Sequence, residues 1–427
     1  MTAAAYDKRE HYIDGITMFL LIGNTANPFF YRSVGMLSIS FIVLFILSYF
    51  KKGRQARLNK YFYIYIGTLV TLQILQTLVS HIFPLKTFFG EYLRIGFAVL
   101  SITMLGQRFF DLFVRFVYVF AVISLWFFIP SLLIKGFAPF MIKHVASHTL
   151  APFVSDEGLY TNKENIIIYN FGQLDLHRNS GFYWEPGSHG GFLLIALFLN
   201  LFYRKEALLS KYNKIFLITI LTTLSTTTYL AVFFVVLVYL KEFFLKRPAL
   251  SLFILLVLGA SSFLLYNKLE FLNKKIDKQI EYSNKGVPGE SRFNSFLADM
   301  KMMSEHPFIG TGRNIEMKFG KNFYNIDARQ THRNNGLGVL MSTYGILFFC
   351  LWLLLLYRTF YIVLLNKMNA LMGVTLILII GFSEDYFFKV FFIALVLYCG
   401  VTFVPSEIRK RSRKLQLGIS GERRVTV

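Results

Sequence analysis

"IFLITILTTLSTTTYLAVFFVVLVYLKEFFL" (215–245) admits two readings, and the choice sets the orientation of half the chain. Read as one helix followed by 251–266, it makes two crossings of a membrane. The polar stretch 267–333 then lies in the cytoplasm and the basic C-terminal tail outside. Read as a short hairpin with "STTT" (225–228) at its tip, it makes three crossings. Lys246 and Arg247 then fall inside and 267–333 outside. The hairpin satisfies every short basic loop, and short loops are the ones the positive-inside rule counts. Long loops translocate largely regardless of charge, so the lysines of 267–333 do not oppose it.

That a membrane is involved follows from composition. Of 427 residues, 55% are hydrophobic and only 16% charged, against about 25% charged in a soluble domain. Mean hydropathy is +0.51. Ile39–Phe50, Ile215–Leu240 and Ser251–Tyr266 carry no charge, and about 20 such residues span a bilayer as a helix. Uninterrupted apolar runs point to helices, since barrel strands alternate. The 48 Phe fit packing and lipid contact. Cys350 and Cys399 sit inside apolar runs and read as buried thiols, with no disulfide or metal site. Met1–Glu10 lacks a signal-peptide pattern, so the first helix serves as an uncleaved insertion signal. Net charge is +21. Much of it lies in short loops and the tail, where membrane orientation accounts for it without nucleic acid as a partner.

Outward from the hairpin, "KKGRQARLNK" (51–60), "GQRFFDLFVR" (106–115), "YRKEALLSKYNK" (203–214) and "SEIRKRSRKLQLGISGERR" (406–424) all read as cytoplasmic. The expected architecture is an all-α integral membrane protein of about twelve helices, with both termini inside. Residues 1–134 hold N-terminal transmembrane helices and 135–188 a first long external loop. Residues 189–266 hold further helices, including the hairpin near 225–228. A second, partly helical external loop covers 267–333. C-terminal helices occupy 334–404, and 405–427 is the basic tail. In the second loop, Phe293, Phe296, Leu297 and Met300 recur at helical spacing after Ser291, an N-cap residue type. Leu269, Leu272, Ile276 and Ile280 share one face, as in a helix lying on the membrane surface.

Polar chemistry gathers on these two outer loops. "HRNSGFYWEPGSHGGFLLIALF" (177–198) brings Arg178, Glu185 and His189 to the lip of a helix, and the second loop adds Arg292, Arg313, His332, Arg333, Asn334 and Asn335. Each has a structural alternative. Arg178 can anchor to lipid phosphate, and Glu185 can sit favourably at a helix N-terminus. His189 can cap that helix, and "STTT" can be only a tight polar hairpin. Arg292 can pair with Glu290 or Asp299. His332 and Arg333 can merely flank the helix start at Asn334–Asn335. No metal-ligand spacing, nucleophile elbow, P-loop or dinucleotide fingerprint occurs, so neither a metal nor a cofactor is expected. Guanidinium forks match phosphate bidentately. Arginines beside a lipid-facing body therefore suit a substrate with a pyrophosphate head and a hydrocarbon tail.

Four stretches together resemble the O-antigen polymerase and ligase superfamily. They are "SGFYWEPGSHGGFLLIAL" (180–197), "TTLSTTTYLAVFFVVLVYL" (222–240), "SRFNSFLADMKMMSEHPFIGTGRN" (291–314) and "NNGLGVLMSTYG" (334–345). The third looks like the family's Arg, short helix, then His-Pro-x-x-Gly-x-Gly; the fourth, its His-Asn, nine residues, Gly. The family's His falls here on Asn334, with His332 two residues earlier, and "STTT" lacks the family's Arg. Both departures fit polymerases better than ligases. The resemblance implies a metal-independent glycosyltransferase of the bacterial inner membrane, working at the periplasmic face in polysaccharide or lipopolysaccharide biosynthesis. It would transfer a glycan from undecaprenyl pyrophosphate to a sugar hydroxyl of another lipid-linked repeat unit. Membrane lipid and a chain-length regulator would be its partners. Arg292 matches the Arg near the donor pyrophosphate, and His332 or Glu185 would take the hydroxyl proton as catalytic base. Arg178, His189, Arg313, Arg333, Asn334 and Asn335 would bind substrate. The alternatives are a ligase acting on lipid A–core and a transporter of lipid-linked sugars.

Overall fold

The computed structural model describes residues 3–31, 34–51, 55–146, 164–172, 177–241, 246, 277, 281, 284, 291–320 and 333–404. The chain is mostly helical. Among the described residues, three helical segments are long and apolar enough to cross a membrane: Lys60–Ser80, the near-continuous Leu85–Leu133 and Gly336–Leu364. The labelled helices are α1 (Ala3–Ala26), α2 (Val34–Tyr49), α3 (Lys60–Ser80), α4 (Leu85–Leu105), α5 (Phe109–Leu133), α6 (Pro186–Phe202), α7 (Lys211–Thr223), α8 (Thr226–Tyr239), α9 (Arg292–Glu305), α10 (Gly336–Leu364), α11 (Lys367–Ser383) and α12 (Val390–Leu397). Apart from Asp277 and Glu281, the amphipathic stretch 267–282 lies outside the described residues, as do 251–266 and the basic tail.

Helices leave much apolar surface uncovered. Ile74 and Leu78 on α3, and Trp126 and Leu133 on α5, are more than half exposed. Each large apolar side chain left in water forfeits about 1.5–3 kcal/mol, so this surface suits hydrocarbon rather than solvent. Inside, α6 is buried along nearly its whole length, and stacked rings such as Phe113 on Phe391 (4.6 Å) pack around it.

Contacts sort the connections to two ends of the bundle. At one end Asp14 pairs with Lys51 and with Arg108 (2.9 Å), and Asp111 pairs with Arg115 and Arg204 (2.8 and 3.2 Å). Two short strands also meet there: β1 (Gln55–Leu58) pairs antiparallel with β2 (Val401–Val404), Leu58 opposite Val401. The strands depart from an all-helical expectation. The last helical run ends at Gly400 instead of reaching 404, because Asn59 draws the chain aside, its N–H donating to the Gly400 carbonyl (2.9 Å). The basic segments near 51–58, 106–115 and 204 thus share one end. The other end gathers the loops: Trp184 N–H donates to Ala26 O (3.0 Å), and Asn27 donates to Ile167 O and Phe182 O.

The run 215–245 is interrupted. Leu224 adopts a left-handed conformation (φ 47°) and Ser225 is extended, so α7 and α8 are separate helices. Asn213 of α7 bonds Asn200 near the end of α6, while Thr222 meets Asn179, just before α6 begins. That makes α7 antiparallel to α6. Thr228 packs on Gly190 and Tyr239 on Phe202, so α8 runs parallel to α6, and α7 and α8 form a hairpin.

In α10, Gly345 is non-helical (φ 74°, ψ 176°), a conformation in the left-handed half of the map that a side chain would strain. The break frees carbonyls one turn back. The loop 306–314 caps them: Thr311 N–H donates to Ser342 O (2.8 Å) and Gly312 N–H to Thr343 O (3.0 Å), while Ile346 N–H donates to Pro307 O (2.8 Å). The His-Pro-x-x-Gly-x-Gly segment and the glycine of the next motif are therefore two halves of one joint.

Candidate active site

Helix α6 opens with Pro186 at its first turn and a run of glycines on its packing faces. A Cβ on Gly187 would stand 2.5 Å from Glu384 Oε1, one on Gly191 2.5 Å from Tyr386 Oη, and one on Gly190 would overlap Thr228. Small residues let backbones and polar side chains approach closely where helices meet in a membrane. The glycines of 187–191 thus admit α8 and the turn 384–389 against the N-terminus of α6.

Four charged side chains meet there. Arg178 Nε donates to Thr223 O (3.2 Å) at the C-terminal end of α7. Arg292, the first residue of α9, donates from Nε to Ser383 O (2.6 Å) at the end of α11, and from Nη2 to Glu384 Oε1 (3.1 Å). Glu185 is the N-cap residue of α6, and its carboxyl lies beside that of Glu384, both next to Gly187. Two guanidiniums therefore rest on two helix C-termini, and two carboxyls on one helix N-terminus, the arrangement helix dipoles favour.

Burial pushes the Glu384 carboxyl well above the usual carboxylate range, and Glu185 beside it pushes the same way; Arg292 and Arg178 pull against them. Burial also lowers Arg178, which Glu185 opposes. Two cations thus face a buried carboxyl, Glu384, held toward its neutral form, with Glu185 beside it. The Arg292 side chain is about one-third exposed while Glu384 is nearly covered, so the guanidinium is reachable from the loop end.

The remaining sequence expectations divide. Asn335 caps α10, accepting from Gly338 N–H (2.9 Å), and donates to Arg292 O (3.4 Å). Asn334 accepts from Ser295 of α9 (2.8 Å). Both hold the helix that carries Arg292. Ser291 caps α9 as its type suggests. Neither local partner considered for Arg292 is its partner here: Glu290 lies outside the described residues, and Asp299 is engaged by Lys318 and Arg333 (3.2 and 3.3 Å). Arg333 is therefore held at Asp299. His189 is not at the surface. It is fully buried, stacks on Tyr183, and its Nδ1 lies 3.3 Å from Asn179 O. Arg313 lies over the Phe388 ring (4.5 Å), in a different group of charges. His332 lies outside the described residues.

Sequence reasoning missed Glu384 as a site residue. Its signal was present: "SEDYFFK" (383–389) is a charged turn between two apolar segments, and such charges are costly near a membrane unless paired. The sequence matches no known family model and no curated protein.

Proposed function

We propose that the protein is a polytopic glycosyltransferase of a bacterial inner membrane, crossing it with about twelve helices and working at its periplasmic face. The loop end would be periplasmic and the strand end, with both termini, cytoplasmic. The donor is a glycan on undecaprenyl pyrophosphate and the acceptor a sugar hydroxyl of a second lipid-linked repeat unit, which makes the enzyme an O-antigen-type polymerase. A chain-length regulator would act beside it.

The observation that carries this reading is the meeting of Arg178, Glu185, Arg292 and Glu384 from three separate chain segments at one end of a lipid-compatible bundle. In the transfer, the acceptor oxygen bonds to C1 of the donor sugar as the C1–O bond to pyrophosphate breaks. The bonding pair leaves with the pyrophosphate, whose growing charge is met by Arg178 and Arg292. Guanidiniums already fixed on helix C-termini need little reorganisation, so they favour the transition state over bound substrate. The hydroxyl proton passes to the Glu185–Glu384 pair. Positioned general-base help contributes roughly 10²–10⁴-fold.

Incubating purified protein with lipid-linked repeat units tests the proposal. A ladder of lengthening products supports polymerase. A single transfer to added lipid A–core means ligase. Movement of the lipid-linked sugar across vesicles without any new glycosidic bond means transporter and ends the glycosyltransferase reading.

A further inference from the structure

The strand end of the bundle, opposite the arginine–carboxyl group, holds a cavity of about 600 Å³. That volume is in the range of small-molecule sites, roughly 300–1,000 Å³. Several chain segments meet around it: the start of α3, the α4–α5 junction, the end of α6, the last turns of α10, and the chain running from α12 into β2. Its polar lining is Tyr61, Gln107, Tyr203, Arg358, Tyr398 and Thr402. Asn59 fixes one wall, donating to Cys399 O (2.9 Å) and Thr402 Oγ1 (3.1 Å). Among the described residues, the phenols of Tyr61, Tyr203 and Tyr398 and the Gln107 amide make no hydrogen bond to another protein group. The cavity therefore offers hydrogen-bonding groups that the chain itself does not use.

Two cations converge on one of its walls. Arg358 lies over the Tyr61 ring (4.5 Å), and Lys60 lies over the same ring (5.4 Å). Both side chains are exposed, and among the described residues neither makes an ion pair. The carboxylates that hold cations at this end are already engaged, Asp14 by Lys51 and Arg108, and Asp111 by Arg115 and Arg204. Each cation also heads a lipid-compatible stripe. On α10, Leu354 and Leu347 lie one turn and three turns before Arg358 on the same face, and both are more than half exposed. From Arg358 to Leu347 is about 16 Å at the helical rise, close to one leaflet of a hydrocarbon core about 30 Å thick. On α3, the exposed Ile64 follows Lys60 by one turn, and Tyr65 against Phe348 (5.3 Å) packs the two helices together. Basic residues at a membrane boundary can orient a helix without selecting a lipid. Convergence on a ring that walls a cavity goes beyond that role.

We infer that the strand end binds one anionic phospholipid: Lys60 and Arg358 hold its phosphate, the cavity takes a hydroxyl-bearing headgroup, and an acyl chain lies along Leu354 and Leu347. The phenols and the Gln107 amide meet the headgroup hydroxyls. A zwitterionic headgroup carries its own cation beside the phosphate and gains less from the two basic residues. The lipid bridges α3 to α10 next to the β1–β2 pair, at the end of the bundle away from Arg178 and Arg292. The inference needs only insertion in a membrane and not the transfer reaction.

The test titrates the full-length protein in detergent micelles with dioleoyl phosphatidylglycerol and counts bound lipid by native mass spectrometry. One molecule binds more tightly than dioleoyl phosphatidylcholine, by roughly twentyfold for two basic residues at a membrane surface. Lys60→Gln and Arg358→Gln each weaken it roughly fivefold, and the double variant removes the preference. Gln107→Trp changes no charge and fills the cavity from an exposed position; it weakens the same molecule about tenfold. Lys211→Gln, at an exposed lysine of the same end outside the cavity, leaves it unchanged. Equal affinities for the two lipids, or an undiminished preference in the double variant, overturns the site. An equal loss in Lys211→Gln overturns it in favour of general surface charge. Glycerol 1-phosphate bound as tightly as phosphatidylglycerol overturns the lipid assignment in favour of a soluble anion.

Discussion

Replacing Arg292 by Ala removes one of two guanidiniums from the place where leaving-group charge is proposed to grow. Its cost to the fold can be bounded. Arg292 makes two contacts, to Ser383 O and Glu384, and its side chain is about one-third exposed. A hydrogen bond to a charged group contributes about 1.5–3 kcal/mol, and partial exposure places this one at the low end. Glu384 keeps Glu185 as a partner, so no isolated buried charge is left. The variant should therefore insert and purify as a folded protein. Its turnover should fall by roughly 10²–10³, about 3–4 kcal/mol, as when one transition-state donor is lost. Binding of the lipid-linked donor should weaken less than turnover falls, because the charge peaks in the transition state. Arg292→Lys should recover little: an ammonium keeps the charge but loses the planar fork that reaches a carbonyl and an anion together. The assay is polymer formation at saturating donor, with donor affinity measured in parallel. Full activity in the Ala variant would refute the reasoning and leave Arg292 as a structural tie between α9 and the turn at Glu384. Full recovery by Lys would keep the electrostatic role and remove the bidentate one.

Glu384→Gln should make stability less sensitive to pH. The folded-state value of Glu384 is raised. Below the ordinary carboxylate value of about 4.3 both folded and unfolded chains hold the proton. As pH rises past it, the unfolded chain ionises while the folded one does not. The wild-type thermal midpoint should thus fall relative to the variant between acid and neutral pH, and a constant difference would contradict the shift. His189→Ala should destabilise the protein by about 1–3 kcal/mol through a lost buried contact, yet leave the activity per folded molecule close to wild type; a selective loss of turnover would return His189 to the chemistry. For orientation, a cysteine at Asn284 should react with an impermeant thiol reagent added to the periplasmic side, and one at Gln55 should not. Reversed labelling would invert the topology.

Local signals were legible in the sequence. The hydroxyl-rich stretch at 225–228 marks the interruption after Thr223, because residues that compete for backbone hydrogen bonds weaken a helix interior. Ser291 marks the start of α9, and the glycines of 187–191 mark a surface of close approach. What escaped was contact between distant segments. Arg292 reaches Glu384, 92 positions away, whereas local reasoning offered it Glu290 and Asp299. Asp299 lies two turns along the same helix, but its carboxylate is drawn inward by Lys318 and Arg333. The β1–β2 pairing joins segments about 340 residues apart, and four-residue strands leave no periodic trace. The burial of His189 also escaped: polar flanking residues suggested a wet helix end, while its ring turns inward under Gly181.

The central claim is that a glycosidic bond is made as pyrophosphate leaves at the Arg178–Arg292 group. The most direct measurement is free undecaprenyl pyrophosphate, quantified together with new glycosidic bonds, when purified protein turns over a defined lipid-linked repeat unit. The account predicts one pyrophosphate-bearing lipid released per bond formed, with both falling together in Arg178→Ala and Arg292→Ala. New bonds without release of that lipid, or undiminished release in both variants, would contradict it.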